Sequence, residues 1–181
     1  MNLPTAKYGF TLIEVLVAIA IIGLLSSVVI LSVSEARGNA RDIQRMNDLK
    51  TMQLALRLYA EQYGSYPAQG CGNPSEVYAG PGTHESWGCT AEDYVVGLAP
   101  KFIPVLPKDP SQEYEDSKGY IYMSNGKDYK FMAHDSAEQK LITSYDDEFA
   151  RCSQFCSEGS GCGITPQPRV YAVYSSGAVC W

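Results

Sequence analysis

From Val15 through Ser34 the chain carries no charged side chain, an uninterrupted run of 20 residues. At about 1.5 Å of rise per residue, a helix of that length reaches roughly 30 Å, the thickness of a bilayer's hydrocarbon core. The length therefore predicts one membrane-spanning helix near the amino terminus. A single carboxylate, Glu14, stands at its start. An acid at membrane depth costs about 2.5 to 3.5 kcal/mol on insertion scales, which makes it a functional-site candidate. The competing reading places Glu14 at the cytoplasmic end, where it reaches headgroup water and is favoured by the positive end of the helix dipole.

The string that leads into this run is Gly9-Phe10-Thr11-Leu12-Ile13-Glu14. It resembles the processing motif of the type IV pilin and type II secretion pseudopilin superfamily. The resemblance implies that residues 1–9 form a cytoplasmic leader removed after Gly9 by a prepilin peptidase. It further implies that Phe10 becomes an N-methylated amino terminus and that Glu14 serves filament assembly. An assembly platform, inner-membrane lipid and copies of the chain itself are then the expected partners. The leader departs from the family pattern in having Lys7 as its sole basic side chain.

An ordinary secretory signal peptide is the main rival for this terminus. Its apolar region would usually span about 7 to 15 residues, without an acid, and would close on small residues. Here the run is longer, contains Glu14, and ends on Val33-Ser34-Glu35-Ala36, a poor cleavage site. Lys7 and the free amino terminus favour a cytoplasmic leader with the rest of the chain outside.

A chain of 181 residues with 45% apolar composition leaves room for one globular domain beyond the spanning helix. The formal charge of -6 is uneven, because residues 64–181 carry eight Lys/Arg against fifteen Asp/Glu. Such a head repels phosphate backbones, so nucleic acid is not an expected partner. Six cysteines, Cys71, Cys89, Cys152, Cys156, Cys162 and Cys180, all lie in the part expected outside the membrane. An even count in an oxidising compartment suggests disulfides, with 15 pairings open. Zinc is the weaker reading of Cys152, Cys156 and Cys162, since neither His84 nor His134 is near them in sequence.

Past Ser34 the helical pattern continues. Ile43, Met46, Leu49, Met52, Leu56, Tyr59 and Tyr63 recur at steps of three or four and form one apolar stripe. Arg41, Arg45, Asp48, Lys50, Arg57 and Glu61 are assigned to the other faces. Gly64 and Pro67 are stop signals, so a helix from near Phe10 to near Tyr63 would be roughly 80 Å long, with Gly38 a point of bending or fraying. Residues 65–110 read as an irregular connection with a short helix in Tyr94–Phe102. A Cys71–Cys89 pairing, if made, would stabilise it by about 3 kcal/mol on the chain-entropy estimate. Leu106–Pro110 cannot be a central strand, because its prolines remove ladder donors.

Gly119–Ser124 and Asp128–Ala133 flank Asn125-Gly126 and predict a hairpin with a tight turn. Lys140–Tyr145 and Arg169–Tyr174 are further strand candidates. The expected fold class is α+β, a long amino-terminal helix packed on a small antiparallel sheet, which agrees with the pilin fold that the resemblance implies. The domain reading is a leader at 1–9, a transmembrane half-helix at 10–34, and a head at 35–181. The head divides into the amphipathic half-helix 35–64 and a disulfide-rich β portion 65–181.

No HExxH, GxSxG, Walker or GxGxxG motif occurs, so no catalytic residue is assigned. Hard cations want oxygen clusters, and the resemblance brings in calcium as a ligand of the head. Asp109, Glu113, Glu115, Asp116 and Asp128 form one candidate set, and Asp146, Asp147 and Glu148 another. Neither has EF-hand spacing, and runs of this kind are ordinarily solvated. Two functions follow: a structural filament subunit, type IV pilus or type II pseudopilus, or a monomeric single-pass anchor displaying an acidic binding head.

Overall fold

A computed structural model describes residues 9–70, 94–110, 119–134, 136–139, 142–153, 156 and 169–181, with only the backbone of residues 27–32. The described elements are α1 (Leu12–Tyr63), β1 (Gly119–Ser124), β2 (Tyr129–His134) and β3 (Tyr171–Tyr174), followed by a short 3-10 turn at Ser176–Ala178. The α+β class expected from sequence is the class observed. The chain forms two compact units, Met1–Gly38 and Asn39–Trp181, and α1 contributes to both.

In the first unit α1 is helical through Gly23 and Gly38, with no break at either. Apolar side chains cover its surface and stand exposed, Leu12, Ile13, Leu16, Ile19, Ile22 and Leu25 among them. Ser26 returns its hydroxyl to the Ile22 carbonyl at 2.7 Å, which satisfies a polar group inside an apolar helix. Among the described residues no helix is long and apolar enough to cross a membrane. The uncharged run of the sequence extends over residues 27–32, whose side chains lie outside the described set.

In the second unit α1 ends at Tyr63. Gly64, at φ 75°, donates its N–H to the Ala60 carbonyl at 2.8 Å, a left-handed cap that favours glycine. The sheet has the order β1-β2-β3 and is antiparallel throughout. Its first turn is closed by Asn125, whose Oδ1 accepts from Lys127 N and Asp128 N at 3.0 and 2.7 Å, with Gly126 at φ 83°.

Side chains alternate across the sheet. Tyr120, Tyr122, Tyr129, Phe131, Ala133, Tyr171 and Val173 face Leu49, Met52 and Leu56 of α1 in the main core. The opposite parity, Ile121, Met123, Met132 and Ala172, joins Val170 in a second apolar cluster. Both faces are therefore buried, where the sequence pointed to only one.

The buried line of α1 is rotated from the expected stripe. Leu49, Met52 and Leu56 are inside as expected, with Met46 and Tyr59 packed at the margin. Ile43 is 60% exposed and Tyr63 52%. Asp42 (1%) and Arg45 (0%) occupy the inner line in their place, so the outward assignment of Arg45 is corrected. Positions 42, 45, 49, 52 and 56 share one helical line at steps of three and four, whereas Ile43 stands about 100° round from Asp42.

These buried charges are compensated. Arg45 donates from Nε and Nη2 to the two oxygens of Asp109, each at 2.9 Å, and from Nη1 to Asp42 Oδ1 at 2.6 Å. Burial opposes the Arg45 charge, but the bonds to Asp109 and Asp42 outweigh it and hold the guanidinium pKa above its ordinary value. Asp42 also accepts from the Glu138 and Gln139 amides, at 3.0 Å (Oδ1) and 2.7 Å (Oδ2), and from the Tyr171 hydroxyl at 3.3 Å. Arg41 adds an ion pair to Glu138. The network fastens α1 to three separate chain segments. Asp109→Ala should cost the head about 3 kcal/mol in urea unfolding, because it leaves a buried guanidinium short of its bidentate partner.

Two expected elements are absent from the described residues. Tyr94–Phe102 forms turns rather than a regular helix. Gly97 sits at φ 72° and Pro100 lacks an N–H, so only isolated bonds such as Phe102 N to Leu98 O (2.9 Å) are made. The strand expected at Lys140–Tyr145 is also corrected, since residues 142–145 are in coil and turn while 140 and 141 lie outside the described set. Asp147 Oδ2 accepts from Thr143 N and Ser144 N at 2.7 and 2.9 Å, taking donors that a ladder would need.

Candidate functional site

The motif residues gather at the start of α1. Thr11 precedes the first helical residue, and Glu14 is the third, so Thr-x-x-Glu falls in the register of a capping box. The Glu14 amide donates to Thr11 Oγ1 at 3.4 Å, while Glu14 Oε2 accepts from Thr11 N at 2.8 Å and from the Thr11 hydroxyl at 2.7 Å. The carboxylate thus closes its own helix end. Sequence reading by charge and depth missed Thr11, although a threonine three residues before a glutamate ahead of an apolar run is the signal that finds it.

Gly9 and Phe10 lie outside the helix and in the open. Phe10 is 88% exposed. A Cβ built on Gly9 meets nothing within 4 Å. Neither packing nor local backbone conformation accounts for a glycine at this position.

The remaining candidates are dispersed. Cys156 and Cys180 are bonded, with Cα atoms 5.2 Å apart, and Cys152 is also in a disulfide. Cys71, Cys89 and Cys162 lie outside the described residues, as do Glu113, Glu115 and Asp116. Asp109 spends both oxygens on Arg45. Asp128 Oδ1 accepts from Ser175 Oγ at 2.7 Å and from Gly177 N at 3.1 Å. In the second acidic set, the backbone amides of Ser144 and Thr143 hold the Asp147 pKa below the ordinary range, and Glu148 pairs with Lys50 at 3.0 Å. Among the described residues no group of three His, Cys, Asp or Glu side chains is placed to hold a metal ion.

Comparison with known proteins bears on the amino-terminal site. No curated protein and no solved structure matches the chain. The family described as the prokaryotic N-terminal methylation motif matches residues 5–30. That span contains Gly9, Phe10, Thr11 and Glu14 together with the first turns of the apolar helix, so the chain carries the prepilin-type leader of type IV pilins and pseudopilins.

Proposed function

We propose that the protein is a structural subunit of a type IV pilus or a type II secretion pseudopilus. It is inserted as a prepilin through residues 10–34, cleaved after Gly9 by a prepilin peptidase, methylated on the new Phe10 amine, and assembled with copies of itself into a filament. The matched motif at residues 5–30 is the observation that carries this reading.

Two physical features support it. A helix apolar on every face is stable only when covered, and the first unit leaves Phe10, Leu12, Ile13, Leu24 and Leu25 open. Lipid supplies that cover in the precursor, and neighbouring helices supply it in the filament. The second feature is the glycine itself. Since the fold leaves room for a side chain at position 9, the restriction is best placed in an enzyme that binds the leader. The head, an α+β domain with Asp42, Arg45 and Asp109 paired inside, is then the part displayed outside the membrane. There all six cysteines are oxidised, so that denatured, unreduced protein offers no thiol to a label.

The mass of the amino-terminal peptide from membrane and sheared fractions tests the proposal. Loss of residues 1–9, with a methyl group on Phe10, is the expected result. An intact Met1, or processing near Ala36, would leave the monomeric anchor or the signal-peptide reading in its place.

A further inference from the structure

The outer face of the sheet is closed by the chain's last residues. Tyr174 and Trp181 pack against the cluster of Ile121, Met123, Met132, Val170 and Ala172. Three fasteners of different chemistry hold residues 175–181 in that position. At one end Asp128 Oδ1 accepts from Ser175 Oγ and Gly177 N, and Ser175 N donates to the Tyr129 carbonyl at 3.0 Å. A Cβ at Gly177 would overlap the Asp128 carboxylate, so this fit needs glycine. At the other end Cys180 is bonded to Cys156.

Between them stands Lys130, fully buried on β2 with the parity of Met132. Its Nζ donates to the backbone oxygen of Trp181 at 2.7 Å and to the Val179 carbonyl at 3.1 Å. It lies 5.0 Å from the centre of the Tyr174 ring and 4.0 Å from Cys152 Sγ. Burial, with the charge of Arg151 adding to it, lowers the Lys130 pKa to about 7. A neutral amine still has two N–H groups for the two backbone oxygens, so the fastener does not depend on carrying a full charge into an apolar layer.

The fasteners reach the sheet only on β2, where Ser175 bonds the Tyr129 backbone and Lys130 extends its side chain to the outer face, and none of them is itself a bond between β1 and β2. We propose that residues 175–181 are a redox-operated latch over the outer sheet face, closed by the Cys156–Cys180 bridge and seated by Lys130. Opening requires thiol–disulfide exchange with an external dithiol. Two electrons pass to the bridge, Cys156 and Cys180 become thiols, and the dithiol becomes a disulfide. The strap then leaves with Trp181, and Ile121, Met123, Met132 and Ala172 are uncovered while the three-stranded sheet stays folded. Local opening of this kind, below the free energy of global unfolding, suits a segment held by few contacts. The latch belongs to the head alone and stands whether or not the chain enters a filament.

Amide hydrogen exchange on the full chain in detergent, followed by mass spectrometry, tests it. The Cys156→Ser/Cys180→Ser double variant removes this bridge and spares the others. Exchange at Ser175, Gly177, Ala178 and Trp181 should rise at least about tenfold, with β1 and β2 protected as in the wild type. Adding Lys130→Met to that background should speed the strap again without reaching the sheet. Unchanged protection of the strap overturns the latch, and so does equal loss of protection in strap and sheet, which would make the bridge a staple of the whole domain. No further change on adding Lys130→Met would remove Lys130 from it.

Discussion

Replacing Gly9 with leucine is expected to abolish the mature-sized protein and leave full-length precursor in the membrane fraction. The variant does not disturb the fold, because position 9 is exposed and a Cβ there meets nothing within 4 Å. Insertion should also be unaffected, since it depends on the apolar run and Lys7 rather than on a residue ahead of the helix. Under the proposed function, whatever the leucine changes would therefore be changed in the complex with the peptidase. A pocket shaped to the bare backbone at Gly9 would lose the cleavage geometry when a four-carbon side chain is forced in, and a displacement of about 1 Å at a reacting centre costs on the order of a hundredfold in rate. Immunoblotting of membranes from cells expressing wild type, Gly9→Ala and Gly9→Leu should show a graded loss, with alanine partly processed. Mature-sized Gly9→Leu at wild-type level would remove Gly9 from the cleavage site.

The features legible in the sequence were those set by local rules. Gly64 at φ 75° and Gly126 at φ 83° stand where a helix stop and a hairpin turn were expected, because each needs a backbone conformation that glycine adopts without strain. Strand β1 has the bounds read from its Tyr- and Ile-rich run, and β2 is shifted from expectation by one residue at each end. What escaped depended on partners remote in the chain. Arg45 looks like an outward cation until Asp109, 64 residues away, supplies a carboxylate. Lys130 sits on a strand face that would be solvated without a cover, and its partners at Val179 and Trp181 come about 50 residues later. The false strand at residues 142–145 has the composition of a strand, but Asp147 captures its amides locally. At the amino-terminal site Gly9, Phe10 and Glu14 were singled out by motif, whereas Thr11 required asking which group accepts from the Glu14 N–H in the first turn of the helix.

Glu14→Ala should insert into the membrane, lose its leader and yet give little or no filament when it is the only copy expressed. Under the proposed function, cleavage after Gly9 would create an amine on Phe10, four residues before Glu14, and in a packed array the amine of one subunit could meet the carboxylate of another. Opposite charges 4 Å apart attract by about 4 kcal/mol at an effective dielectric of 20, which offsets the roughly 2.5 to 3.5 kcal/mol insertion cost of an acid at membrane depth. In the single chain Glu14 takes both Thr11 bonds on Oε2, so the cap leaves Oε1 for a neighbour. Alanine removes the cap as well as the charge, and losing the cap costs about 1 kcal/mol by itself. Glu14→Gln separates the two effects, since its amide oxygen still accepts from Thr11 while the negative charge is gone. Charge pairing between subunits predicts that both variants fall to a small fraction of the wild-type yield of sheared filament at equal membrane level. If glutamine restores the yield and alanine does not, Glu14 acts in assembly only by capping its own helix. If both variants assemble normally, the carboxylate has no part in assembly and serves the headgroup region alone.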